Sequence, residues 1–362
     1  MKNHYRNLIS ACSLSLLATS ALHAADLPDP DGKPADMTKP VQVFIIMGQS
    51  NTLEMGKVTP DLGTLYPFLV DDAGKETVRQ DVRNVSVMEK RGSMNVYRNE
   101  WLTLAGKGKI GIETGIGHQL GNAIDAPVMV LKSSIGNRSL GWDLLPPGSK
   151  RALAEVTEKD GTKVTKVVAG YKEAPDVWVA DPAKGIDTPP PPFVDKNGKP
   201  IEWYAGKQWD DDIRNAKKIL EDLNTYYPDA KGYEVAGFLW WQGDKDRYNV
   251  AHASRYGENL VALINALRKE FNAPNAKFVC GTLGQTAKDS EPGNDKMIFD
   301  GQMSVDGETG KYPEFKGNVS TVYTHPLSKG GASNGHYNGN AETYMNVGLG
   351  LGEAMAKLIK GN

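Results

Sequence analysis

The run from Val41 to Met47 carries no charge and stops at Gly48. A stretch this short and this apolar, closed by a glycine, reads as a strand buried on both faces. Such a strand belongs in a parallel sheet with helices over each side. Pro127 to Lys132, Val235 to Trp241, Phe278 to Leu283 and Asn318 to Tyr323 read the same way. Helical spacing lies between them. Ile213, Ala216, Leu220, Leu223 and Tyr227 recur at three- and four-residue intervals. Tyr256 to Phe271 and Tyr344 to Leu358 repeat the pattern. Alternating strands and amphipathic helices predict right-handed βαβ units and a three-layer α/β/α sandwich around a mainly parallel sheet.

The chain has 362 residues, enough for one large α/β unit with an excursion or for two domains. Apolar residues make up 40% and charged residues 24%, which excludes a disordered chain. With 42 basic and 44 acidic residues the net charge is −2. That balance argues against general nucleic-acid binding, which needs a basic footprint.

Residues 1–24 read as a signal peptide. Lys2 and Arg6 precede an uncharged, mostly apolar stretch from Leu8 to Leu22, and His23-Ala24-Ala25 follows. The stretch is too short to span a bilayer. The expectation is export to the periplasm or the medium, with no membrane anchor left after cleavage. The rest, 25–362, reads as one domain with an insertion. Its single cysteine, Cys280, falls in an apolar run and reads as a small core residue without a disulfide partner.

Pro146 to Lys207 breaks the rhythm and contains Pro189-Pro190-Pro191-Pro192. Four consecutive prolines fit neither a helix nor a central strand. The segment reads as an insertion at about 146–207, a hairpin with an extended loop. Trp178, Trp203, Tyr204 and Trp209 lie in or beside it and suit either a sugar-stacking wall or packing of the insertion.

Ligands of open parallel sheets bind at the carboxyl ends of the strands. Three strand ends carry chemistry. Gly48-Gln49-Ser50-Asn51 offers a serine above the sheet edge. Ser133-Ser134-Ile135-Gly136-Asn137-Arg138 offers a glycine whose N–H can approach a ligand. Gln242-Gly243-Asp244-Lys245-Asp246 offers an amide donor and two carboxylates. These carboxylates lack accompanying histidines, so a dedicated metal site is not expected. Among the histidines, His336 lies in a turn-rich loop before the last helix and suits a general base. His325 is the reserve; His118 and His252 fall in helical patterns and read as structural or surface residues.

Taken together, Gly48-Gln49-Ser50-Asn51, the later strand-end glycine, Trp241-Gln242-Gly243 and the late histidine resemble the SGNH-hydrolase superfamily. Within it the chain is most similar to the sialate O-acetylesterase-like carbohydrate esterases, in order from about residue 41 to 360 outside the insertion. The resemblance implies a flavodoxin-like fold and a serine esterase that removes O-acetyl groups from a glycan or glycoside through an acetyl-enzyme. Ser50 would be the nucleophile and His336 the base. The N–H groups of Ser50 and Gly136, with the Gln242 side chain, would hold the oxyanion. No metal or organic cofactor is implied. The family commonly has an aspartate three residues before the histidine, where this chain has Ser333. The alternatives are a Ser–His dyad, a backbone carbonyl behind His336, or an acid supplied by Asp246, Asp244 or Glu113. Asp246 is preferred because it follows a strand end beside Gln242. The same departure admits a second class: an inactive carbohydrate-binding or scaffold relative with the same fold.

Overall fold

The computed structural model describes residues 36, 38–158 and 160–361. The signal-peptide reading of residues 1–24 falls outside them. The run ending at Gly48 is strand β1 (Val41–Gly48). It is joined in one seven-stranded sheet by β2 (Val78–Lys90), β3 (Ser93–Thr103), β4 (Val128–Ser133), β8 (Tyr233–Trp241), β9 (Lys277–Gly281) and β10 (Val319–Val322). Three further strands, β5 (Ala152–Thr157), β6 (Lys163–Val168) and β7 (Val177–Val179), lie outside that sheet. The spatial order is β10-β9-β8-β1-β4-β2-β3. The strands pair in parallel except for β3, which runs antiparallel to β2. The expectation of a mixed α/β chain with a mainly parallel sheet is met.

The side chains of β1 divide between two cores, as the period of a strand requires. Val41, Val43, Ile45 and Met47 pack under helices α2 (Lys207–Glu221) and α3 (Tyr256–Glu270). Phe44 and Ile46 pack under α1 (Glu113–Ala123) and α5 (Ala341–Lys360). Helix α4 (Asn294–Ser304) adds Ile298 to the first core. Cys280 is buried there as a free thiol, and burial pushes its pKa up. None of the described helices is long and apolar enough to cross a membrane.

Two parts differ from the sequence reading. The hairpin β2–β3 was not expected. Arg79, Asp81 and Arg83 obscure the strand pattern of β2, and one of its faces buries Asn84 and Ser86 instead of apolar residues. The segment 146–207 holds a three-stranded antiparallel sheet, in the order β5-β6-β7, rather than one hairpin. Its four prolines are exposed. Trp178 closes a small core there, with its Nε1 donating to the Thr188 carbonyl at 3.0 Å.

Beside Ser86 in the sheet, Lys132 is fully buried and pairs with the fully buried Glu113 at 2.6 Å. Glu113 also accepts the Gly111 N–H at 3.0 Å. Burial opposes both charges, yet the partner outweighs it. Lys132 and Lys107 hold the Glu113 carboxyl below its ordinary value, and Glu113 holds Lys132 above its own. Removing one member of such a pair strands the other, so Lys132→Met should cost about 3–5 kcal/mol in urea unfolding. Lys132→Met/Glu113→Leu should cost clearly less, and equal losses in the two variants would refute the pairing.

Candidate active site

Gly48 ends β1 at φ +151°, and a Cβ there would stand 2.6 Å from the Trp241 carbonyl oxygen. The chain therefore leaves the strand at a point where only glycine fits. It enters a single 3-10 turn, Ser50–Thr52. Two neighbouring loops hold this turn. Gln49 Oε1 accepts from the N–H groups of Gly243 and Lys245 at 3.4 and 3.3 Å, beyond the end of β8. The Thr52 hydroxyl donates to the Gln49 carbonyl at 2.7 Å and lies 2.8 Å from Ser134 Oγ, beyond the end of β4.

Ser50 is 9% exposed, and its Oγ lies 2.9 Å from His336 Nε2. That distance suits proton transfer from a serine to an imidazole. A Cβ on Gly136 would lie 3.3 Å from the Ser50 Cβ, so the β4 loop crosses directly beside the serine. Among the described residues, the N–H groups of Ser50 and Gly136 have no backbone carbonyl as acceptor. Three of the residues singled out in the sequence, Ser50, Gly136 and His336, thus come together.

His336 reaches the serine from an unusual backbone. His336, Tyr337 and Asn338 have φ of 50°, 49° and 52°. Each left-handed non-glycine residue costs roughly 1–2 kcal/mol, so the loop needs outside support. The Tyr337 ring is fully buried and stacks on Trp241, with centroids 5.5 Å apart. Its hydroxyl accepts from the Gly284 N–H at 3.1 Å. The Tyr344 hydroxyl donates to the His336 carbonyl at 3.3 Å. Asn340 then caps α5, accepting from the Thr343 N–H at 2.8 Å.

Gln242 requires a correction. Its Nε2 donates to the Arg138 carbonyl at 2.8 Å and to Asp246 Oδ2 at 2.6 Å, which uses both amide hydrogens. Its Oε1 accepts from the Tyr256 hydroxyl at 2.9 Å. A flipped amide would aim its oxygen at a carbonyl and a carboxylate, so this orientation is the sound one. Gln242 is committed to bracing the loop that carries Gly136 and does not point a free donor at Ser50.

Asp246 also has a different place from the one expected. Its oxygens accept from Gln242 and from the N–H groups of Leu140 and Gly141 at 2.9 and 2.7 Å, and not from His336. Burial pushes its carboxyl up, against the lowering effect of His252 and these hydrogen bonds. Glu113 is taken up by Lys132. Among the described residues, the histidine–carboxylate contact within 4 Å is His252 with Asp176, at 3.6 Å, so no carboxylate backs His336 directly. Asp244 instead accepts from the Ser333 hydroxyl at 2.7 Å. His325 bonds the Gly284 carbonyl through Nδ1 at 2.8 Å, and His118 is buried against Phe68.

A cavity of about 670 Å³ lies against the loop that follows Gly136, and neither Ser50 nor His336 lines it. Asn137 and Arg138, next to Gly136, form part of its wall, and so does Lys245, whose N–H binds Gln49. Trp203, Trp142 and Phe193 supply aromatic surface. Of the four aromatic residues noted near residues 146–207, Trp178 and Trp209 are core residues and Tyr204 bonds Asp210; Trp203 faces the cavity. Sequence reasoning missed Gln49, Thr52 and Tyr337. Their position beside Ser50 and His336 was the available signal.

The bracing role of Gln242 is open to test. Gln242→Glu would set a second carboxylate against Asp246. It should cost about 1–3 kcal/mol at pH 8 and less at pH 5, where one proton can be shared. The same thermal-melt loss at both pH values would contradict the bond to Asp246.

Residues 194–357 match the model of a family described as carbohydrate esterase, sialic acid-specific acetylesterase. His336, Gln242, Asp244 and Asp246 lie within that segment; Ser50 and Gly136 precede it. No curated protein matches the chain. Among solved structures, a protein from Arabidopsis thaliana is 15% identical with a TM-score of 0.48, over 88% of this chain and 98% of that one. A carbohydrate acetylesterase from Xanthomonas citri is 13% identical with a TM-score of 0.49, over 89% of this chain and 57% of that one. NanS is 12% identical with a TM-score of 0.41, over 81% and 80%. Residues 194–357, less than half of the chain, are thus similar to a family of carbohydrate esterases described as sialic acid-specific acetylesterases.

Proposed function

We propose that this protein is an exported serine esterase that removes O-acetyl groups from a glycan or glycoside, built on the three-layer SGNH fold with residues 146–207 as an insertion. The observation that carries the reading is the 2.9 Å contact between Ser50 Oγ and His336 Nε2, beside two N–H groups that have no backbone acceptor among the described residues.

In the first half-reaction Ser50 Oγ attacks the acetyl carbonyl carbon while His336 Nε2 takes its proton. The negative charge on the carbonyl oxygen falls to the N–H groups of Ser50 and Gly136. Collapse breaks the bond to the sugar oxygen, which receives the proton from His336. In the second half-reaction His336 deprotonates a water, the water attacks the acetyl-serine, and acetate leaves as Ser50 regains its proton. Gln242 supports this chemistry at one remove, by fixing the loop of Gly136. The sugar would occupy the cavity walled by Arg138, Lys245, Trp203 and Phe193.

The test is acetate release from a chromogenic acetyl ester and from O-acetylated sugars, with circular dichroism to verify folding. Ser50→Ala should lose about 10³-fold or more of the activity while remaining folded. Full activity in that variant would sink the proposal. Glycan binding by a wild type that neither releases acetate nor reacts with a serine-directed phosphonate would support the inactive carbohydrate-binding reading instead.

A further inference from the structure

His336 lacks a carboxylate of its own, yet the turn that bears it is gripped by charged groups. The Ser333 hydroxyl donates to Asp244 Oδ1 at 2.7 Å. The same oxygen accepts from Arg247 Nε at 2.9 Å. Arg247 Nη1 reaches the two oxygens of Asp295 at 3.4 and 3.3 Å. Asp295 Oδ2 accepts from Gln285 Nε2 at 3.4 Å. Gln285 Oε1 accepts from the Ser333 N–H at 3.3 Å. The contacts close a ring, Ser333–Asp244–Arg247–Asp295–Gln285, that returns to the residue where it began.

We infer that Asp244 is a positioning residue for His336, acting through Ser333. The inference rests on the proposed esterase chemistry for the histidine's role as base. Two observations carry it. Ser333 is fully buried and held at both its hydroxyl and its N–H, so the ring engages both of its hydrogen-bonding donors. The turn beyond it is tight: the Ala332 carbonyl accepts from the N–H groups of both Gly335 and Tyr337, at 3.1 and 3.2 Å. A displacement of Ser333 therefore moves His336 relative to Ser50. The left-handed backbone at His336 makes that restraint necessary, because without it the loop would relax to a less strained path.

The ring also has a sign. Two carboxylates and one guanidinium leave it one negative charge, on the turn that leads to His336. Other charged groups around the loop are Lys57, whose side chain packs near Gly339, and the Lys329–Glu342 pair. Tyr337 and Tyr344 are the neighbouring phenols, and burial pushes both well up, so they stay neutral. Asp244 is the carboxylate that bonds the His336 turn itself.

Asp244→Asn keeps an acceptor for Ser333 and removes the charge. It should lower kcat about tenfold or more with KM nearly unchanged, short of the roughly 10⁴-fold loss when a directly bonded triad acid is replaced. In a crystal structure of the variant the Ser50 Oγ–His336 Nε2 separation should lengthen beyond hydrogen-bond range, because Arg247 no longer has a charged partner to hold at the turn. A merely structural role would lower the melting temperature and leave that separation in place. Adding Ser333→Asp to Asp244→Asn should restore both kcat and the separation, whereas Ser333→Asp alone sets two carboxylates together and should be harmful. Wild-type kcat with an unmoved separation in Asp244→Asn would overturn the inference while leaving the esterase reading intact. An inactive wild type whose Ser50–His336 separation still responds to Asp244→Asn would do the reverse. Should Asp244→Asn fail to fold, Ser333→Ala carries the test: kcat must fall with KM held, and an unchanged kcat refutes the proposal.

Discussion

Gly48 and Trp241 are register partners at the carboxyl ends of adjacent parallel strands, and their close approach governs what surrounds Ser50. Because the Trp241 carbonyl lies where a side chain of residue 48 would go, β1 and β8 finish tightly side by side. Gln49 can then reach the N–H groups beyond β8, which sets the height and angle of the serine turn. On the other side, the indole of Trp241 is the surface on which Tyr337 stacks, one residue from His336. One contact between two strand ends thus helps bring Ser50 and His336 together, although they are 286 positions apart in the chain.

Around this junction the polar groups are arranged as braces more than as exposed functional groups. Gln242 and Asp246 join the ends of β8 and β4, and the Tyr256 hydroxyl joins them to α3. Gln302 Nε2 donates to the Gln242 carbonyl at 2.8 Å, which adds α4 to the same network. A buried amide left unpaired would cost about 1–3 kcal/mol, and Gln242 avoids that by engaging both ends of its side chain. The same satisfaction stops it from serving as an oxyanion donor. Rigidity of the Gly136 loop is what the structure gains from it.

The sheet was legible because its central strands are apolar on both faces. Val41 to Met47 and Val235 to Trp241 could belong to little else, and the helices between them carry clear stripes. The hairpin β2–β3 was not legible, since Asn84 and Ser86 are buried polar residues beside the Lys132–Glu113 pair, and pattern reading assigns such residues to the surface. Ser50, Gly136 and His336 could be found because each stands just after a strand or before a helix, where the fold concentrates chemistry. Hydrogen-bond partners could not be found in this way. Asp246 and Asp244 are separated by two positions on one turn, and sequence spacing does not say which faces the histidine. The turn directs Asp246 to the N–H groups of Leu140 and Gly141 and Asp244 to Ser333.

The cavity against the Asn137–Asp143 loop joins three parts of the chain that the sheet alone would keep apart. Its walls come from the loop after β4, from the turn after β8 and from residues 176–203. The first two also hold the serine turn, so a ligand pressing on Arg138 or Lys245 bears on the groups that orient Ser50. The third contributes Trp203, whose Nε1 donates to Asp143 at 3.0 Å and whose ring lies 4.7 Å from the Arg138 guanidinium. Trp203 is therefore not a bare stacking platform: the Arg138 guanidinium lies over its ring, and Asp143 and Asp176 line the same cavity. The core sheet sets the distance between serine and histidine, whereas the segment outside it shapes the surface a sugar would meet. Substitutions at Trp203 or Phe193 can change that surface without disturbing the strand ends on which the serine and histidine depend.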